Sequence, residues 1–121
     1  MTATLPAIAT ASDIAAAIAD RRLSAVDLLR ARYALVEEHN PRTNALVAAR
    51  PDAALAEAAG VDAAVRAGQS LGPLAGVPVS IKEALDVAGM ASTGGVESRA
   101  GTQASTDCAA VAALRRAGAI V

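Results

Sequence analysis

The chain has 121 residues, of which 54% are apolar, yet 34 are alanine and the only aromatic is Tyr33. Alanine buries little surface and aromatics bury most, so this is a thin core for a free-standing domain; the low charge content and positive mean hydropathy nevertheless exclude a disordered chain. Eleven basic and twelve acidic residues give a net charge of −1 without blocks of one sign, which excludes an electrostatic footprint for nucleic acid or an anionic membrane surface.

The segment from Met1 to Asp20 lacks a basic start and is interrupted by Asp13 and Asp20, so it makes a poor signal peptide. No uncharged apolar run reaches about 18 residues, as a membrane span requires. One cysteine, Cys108, permits no intramolecular disulfide, and a cytoplasmic location is the expectation.

Ser12 is a candidate cap for a short helix from Asp13 to Asp20. Ser24, with Asp27 three residues on, predicts a capped helix over Ala25–Glu38, whose Val26, Leu29, Tyr33 and Val36 fall at helical spacing. Asn40-Pro41 is expected to stop it, because the residue before proline avoids helical dihedrals. Asn44 to Ala49 then reads as a short strand. Pro51-Asp52 opens an alanine-rich helix to about Ala67, with Gly68 as its terminator and a half-apolar face of Leu55, Ala59, Asp62 and Val65 that should pack lightly.

The pattern changes at Leu71. A turn-rich stretch leads into Val77, Val79 and Ile81 alternating with Pro78, Ser80 and Lys82, a strand signal of period two. Glycines 89, 94, 95 and 101 mark an extended loop. Ser105-Thr106-Asp107 is expected to cap a third long helix with Val111, Leu114 and Ala117 on its apolar stripe, ended by Gly118, and Ala119-Ile120-Val121 reads as the opening of a buried strand. Strand, loop, helix, strand is the order of an α/β unit.

Candidate chemistry is sparse. His39, the only imidazole, stands at a predicted helix end, where it suits the helix dipole. Cys108 falls in a first helical turn among alanines and reads as a small packing residue. No spacing of His, Cys and carboxylates matches a metal site, and no glycine pattern matches a phosphate loop. Lys82 is the only lysine, at the end of an apolar strand and before a glycine-rich loop, a common position for a site residue. A lysine that is partly desolvated can serve as a base, which arginine cannot. The plainer reading is a surface ion pair with Glu83 or Asp86. A self-contained Ser80–Lys82 dyad is disfavoured, since about 6.6 Å of strand rise separates their backbones.

Taken together, Gly72-Pro73-Leu74-Ala75-Gly76-Val77-Pro78-Val79-Ser80-Ile81-Lys82-Glu83, Asp86-Val87-Ala88-Gly89-Met90, Thr93-Gly94-Gly95, and Asp107 through Val121 resemble the amidase signature family. Ser24-Ala25, Asn40-Pro41 and Asn44-Ala45 are similar to its helical region upstream. The resemblance implies an α/β fold, with residues 1–70 mainly helical and 71–121 the first strand-loop-helix-strand unit of a mixed sheet, an incomplete part of one domain. It implies an amidohydrolase that cleaves a carboxamide C–N bond through an acyl-serine intermediate, with a small-molecule amide substrate and no metal or organic cofactor. In that family a Ser–cis-Ser–Lys triad does the work, and Lys82 matches its lysine. The two serines match nothing here: Ser92, Ser98 and Ser105 lack the family's glycine context. Glu83 stands where Asp is usual, and Cys108 where Ala is common. The same signature belongs to the amidase-type subunit of tRNA-dependent amidotransferases, which is the alternative, and a truncated, non-catalytic product is the third. The apolar ending and thin core lead to the expectation that the natural chain is longer than 121 residues.

Overall fold

The computed structural model describes residues 10–121; positions 1–9, where the weak leader candidate begins, lie outside the described residues. Among the described residues, four α-helices follow in order: α1 (Ala11–Ala19), α2 (Ala25–Thr43), α3 (Pro51–Arg66) and α4 (Ala109–Arg116), with one 3₁₀ turn at Glu97–Arg99. Among the described residues, β pairing consists of two isolated bridges, Pro78 with Ile120 in parallel and Ala91 with Gln103 antiparallel. None of the helices is long and apolar enough to cross a membrane.

The first cap is Thr10 rather than Ser12. Its hydroxyl accepts the Asp13 N–H at 3.1 Å while the Asp13 carboxylate takes the Thr10 N–H at 3.2 Å, a reciprocal capping box that satisfies two otherwise orphaned donors. The Thr10 donors hold the exposed Asp13 carboxyl below its ordinary value. Ser24 does cap α2, through the Asp27 N–H at 3.2 Å. The acid that completes this cap comes from another helix. Asp62 of α3 accepts the Ser24 hydroxyl at 2.7 Å and the Ala25 and Val26 N–H groups at 2.8 and 3.3 Å. Hydrogen bonds to a carboxylate contribute about 1.5–3 kcal/mol each when well formed, so Asp62 fastens α2 to α3. Arg21 acts one turn further along, at the C-terminal end of α3, where its guanidinium donates to the Val65 and Arg66 carbonyls at 3.1 and 3.2 Å.

The helix α2 runs through Pro41 to Thr43 instead of stopping at Asn40. Proline costs one donor, but this close to the helix end the freed carbonyl belongs to exposed Glu37 and meets water. Asn40 stays helical because its side chain is held on both sides: Nδ2 donates to the Leu46 carbonyl and Oδ1 accepts the Leu46 N–H, each at 2.8 Å. Asn44, left-handed at φ 47°, ends the helix and donates to the Asn40 carbonyl at 2.7 Å. The same Asn40 clamp bends residues 44–49 away from any partner strand, so the predicted strand there does not form.

The helix α3 packs more closely than its sequence face suggests. Ala54 and Ala58 are fully buried beside Ala25, Leu28 and Leu29 of α2, with Ile14 and Ile18 of α1 in the same cluster. Alanine at the contact lets the helix axes approach, so bulk is supplied from the facing side. Each fully buried Ile18 or Leu28 side chain contributes about 1.5–3 kcal/mol relative to exposure.

Val77 and Ile120 join this cluster from outside the helices. They meet along a backbone seam: Leu74 N–H to the Ala117 carbonyl at 2.8 Å, Gly76 to Gly118 at 3.0 Å, Ile120 to Val77 at 2.9 Å and Val79 to Ile120 at 2.8 Å. The seam needs glycine. A Cβ on Gly72 would lie 2.4 Å from the Ala117 carbonyl oxygen, and one on Gly118 only 2.9 Å from Ala75 Cα, at a φ of 95°. The α4 helix starts later than expected, because Asp107 is engaged elsewhere and Cys108 takes the cap position with no side-chain bond.

Gly72→Ala forces the backbone apart at the seam, and is expected to lower the unfolding free energy in urea by about 2–3 kcal/mol. Gly60→Ala, where a Cβ meets nothing within 4 Å, is expected to be neutral or stabilising.

Candidate functional site

The seam ends at Val79, and the chain runs on through Ser80 and Ile81 to Lys82 along the wall of an open groove of about 930 Å³. Leu29 and Tyr33 of α2 and the bent segment held by Asn40 line the same groove. Lys82 is exposed and takes part in no ion pair among the described residues. The expected surface pair with Glu83 or Asp86 is therefore absent. Ser80 lines the same groove and is exposed. Tyr33 is half-buried there, and burial pushes its phenol up, partly opposed by the Arg50 charge.

The two neighbouring carboxylates are turned elsewhere. The Glu83 Oε1 accepts both the N–H and the hydroxyl of Thr93, at 2.6 and 2.7 Å. Asp86 accepts the hydroxyl of Ser92, which is buried at 5% exposure. These bonds fold residues 83–93 into a closed loop. The loop is fixed further by Ser92 N–H to the Thr102 carbonyl at 3.0 Å and Cys108 N–H to the Asp86 carbonyl at 2.9 Å. The Thr93 hydroxyl in turn accepts the Gly95 N–H at 3.1 Å.

Asp107 continues the pattern, accepting the Ala88 N–H at 2.8 Å and lying 2.9 Å from Arg115 Nε, off the hydrogen-bond axis. Arg115 and Arg50 both approach Glu57, at 3.4 and 2.5 Å, and Arg50 also reaches the Val121 carbonyl at 3.3 Å. A chain of alternating charges thus runs from α3 through α4 to the loop behind Lys82.

The remaining sequence candidates stay apart from this site. His39 is exposed on α2, 4.0 Å from Glu38. Cys108 is half-buried and free. Ser98 and Ser105 are exposed. No group of three His, Cys, Asp or Glu residues is placed to hold a metal ion among the described residues. The roles of Ser92 and Thr93 leave no trace in the sequence pattern, because six- and ten-residue returns to a carboxylate have no periodic signal.

A family model described as Amidase matches residues 27–121. The chain belongs to the amidase family. This amidase chain is 39% identical over 118 residues to fatty-acid amide hydrolase 2-B of Danio rerio, covering 92% of the chain and 22% of that relative. It is 37% identical over 112 residues to one subunit of the glutamyl-tRNA(Gln) amidotransferase of Acidothermus cellulolyticus, covering 93% and 22%. Among solved structures, the native peptide amidase of Stenotrophomonas maltophilia superposes with a TM-score of 0.82 at 34% identity, covering 95% of this chain and 24% of that one. The amidase chain thus spans about a quarter of the length of each of these relatives.

The Thr93 donors hold the Glu83 carboxyl below its ordinary 4.5. A carboxyl lowered on folding stabilises fully above its unfolded value and loses that contribution as pH falls through the lower folded value. Protection of the Thr93 amide against hydrogen exchange, corrected for intrinsic rates, is therefore expected to be level above 4.5 and to fall below it. Glu83→Gln is expected to remove this pH dependence.

Proposed function

We propose that these residues form part of an enzyme that hydrolyses a carboxamide C–N bond to an acid plus ammonia or an amine, with Lys82 as the base. The observation that carries the reading is a lysine without a carboxylate partner, at the open end of the Val77–Val79 seam, in a chain of the amidase family. Residues 1–70 would supply the helical flank and residues 71–121 the first part of the α/β core, one piece of a single domain whose mixed sheet extends beyond the Pro78–Ile120 bridge.

In the proposed reaction, a serine hydroxyl contributed from outside this chain attacks the amide carbonyl carbon. Its proton passes through a bridging serine to the neutral Lys82 amine as the C–O bond forms. The tetrahedral oxyanion is held by backbone N–H groups near the nucleophile. Collapse breaks the C–N bond, and the leaving nitrogen takes the proton back from Lys82 through the same serine. Water then adds to the acyl-serine, again losing a proton toward Lys82, which returns it through the bridging serine to the departing serine oxygen as the C–O bond breaks and the acid leaves. A neutral amine needs low-dielectric surroundings; residues 10–121 leave Lys82 exposed, so the cover comes from the other three quarters of the domain. No metal or organic cofactor is needed. A second reading, the amidase-type subunit of a tRNA-dependent amidotransferase, is favoured by the likeness to the Acidothermus cellulolyticus protein. It uses the same lysine.

The test is a chimera in which this chain replaces the matching quarter of the Stenotrophomonas maltophilia peptide amidase. It is expected to hydrolyse peptide amides, and Lys82→Ala and Lys82→Arg are each expected to lower kcat by about a thousandfold, the scale of a lost general base. Residues 1–121 alone are expected to show no acetamide or arylamide hydrolysis. A Lys82→Ala chimera within about tenfold of its parent contradicts the role given to the lysine.

A further inference from the structure

Lys82 has two carboxylates within four residues and pairs with neither. Among the described residues, each carboxylate has a hydroxyl donor from the far side of the loop: Thr93 for Glu83, and buried Ser92 for Asp86. The hydroxyls are consecutive, and both are set by the bridge that pairs Ala91 with Gln103 and by the Ser92 N–H bond to Thr102. Thr93 satisfies Glu83 twice, through its N–H as well as its hydroxyl. Upstream, the seam bond at Val79 fixes the backbone; downstream, the Leu85 N–H closes a turn on the Lys82 carbonyl at 2.9 Å. The backbone on both sides of Lys82 is therefore held while its amine is left unpaired.

An ammonium locked in an ion pair is a poor base, since the pair stabilises the protonated form. We infer that Ser92 and Thr93 are positioning residues that hold Asp86 and Glu83 away from Lys82 and so keep its amine available. The inference rests on the reading of Lys82 as the base, and concerns how that base is kept free rather than what it reacts with. Arg99 is the other charge that acts on Glu83, so the released carboxylate would have Arg99 and Lys82 as its cationic choices.

Lys82 is the only lysine, so its acetylation by acetic anhydride in the 121-residue chain can be followed by mass spectrometry of the Lys82-bearing peptide, apart from the N-terminal amine and without any hydrolysis assay. Thr93→Val removes the hydroxyl at nearly constant volume and loosens Glu83, leaving it only the Thr93 N–H at 2.6 Å. It is expected to slow Lys82 acetylation by about threefold, the strength of an exposed ion pair, with the original rate restored by high salt or by adding Glu83→Gln. Ser92→Ala is expected to act in the same way through Asp86. If Thr93→Val leaves the rate unchanged or raises it in a folded chain, or Glu83→Gln does not restore it, the inference is overturned. Should Thr93→Val fail to fold, Glu83→Gln in the original chain decides. An unchanged rate supports a carboxylate already held off the lysine, and an increase of about twofold or more shows that it was paired and overturns the inference. Loss of amidase activity in the chimera with normal acetylation behaviour would count against the function alone.

Discussion

At Gly72 and Gly118 two backbone segments come closer than any side chain allows, and the rest of the described structure is arranged around that approach. Four hydrogen bonds between residues 74–79 and 117–120 hold segments more than forty positions apart. Their buried faces, Val77 and Ile120, complete the cluster formed by α1, α2 and α3. The seam thus does two things: it closes a core that is poor in large side chains, and it sets the line along which the chain reaches Lys82. A Cβ at Gly72 or Gly118 would collide with backbone rather than with a flexible side chain, so the spacing cannot be recovered by repacking.

Charge organises what the thin core leaves loose. Asp62 fastens the start of α2 from α3, and Arg21 caps the end of α3 from the turn after α1. Arg50, Glu57, Arg115 and Asp107 tie α3 and α4 to the loop behind the groove. These groups are partly exposed, so each contact by itself contributes little; their value lies in fixing geometry. Glu83 and Asp86 follow the same logic, with hydroxyl and N–H donors in place of cations.

The sequence was legible where a signal is local. The Ser24 cap, the start of α3 at Pro51 and the Gly68 and Gly118 terminators all depend on neighbours within a few residues, and the structure follows them; the alternation from Val77 to Lys82 yields only the Pro78–Ile120 bridge and not a strand. It was misleading where a distant partner decides. Proline fails to end α2 because Asn40 is bonded to Leu46; Asp107 caps nothing because Ala88 and Arg115 occupy it; the strand at 44–49 has no partner. The position of Lys82 could be read from alternation and from the resemblance, but its freedom from Glu83 and Asp86 could not, since that depends on Ser92 and Thr93 returning across a glycine-rich loop.

The amide protons of Val79 and Ile120 report on the seam directly. Hydrogen exchange of the 121-residue chain at neutral pH is predicted to place both among the slowest amides, protected together with Leu28 and Leu29 of α2. Exchange at Val79 and Ile120 as fast as in an unstructured peptide, with α2 still protected, would show that the helices fold without the seam and would contradict the placement of Lys82 argued from it.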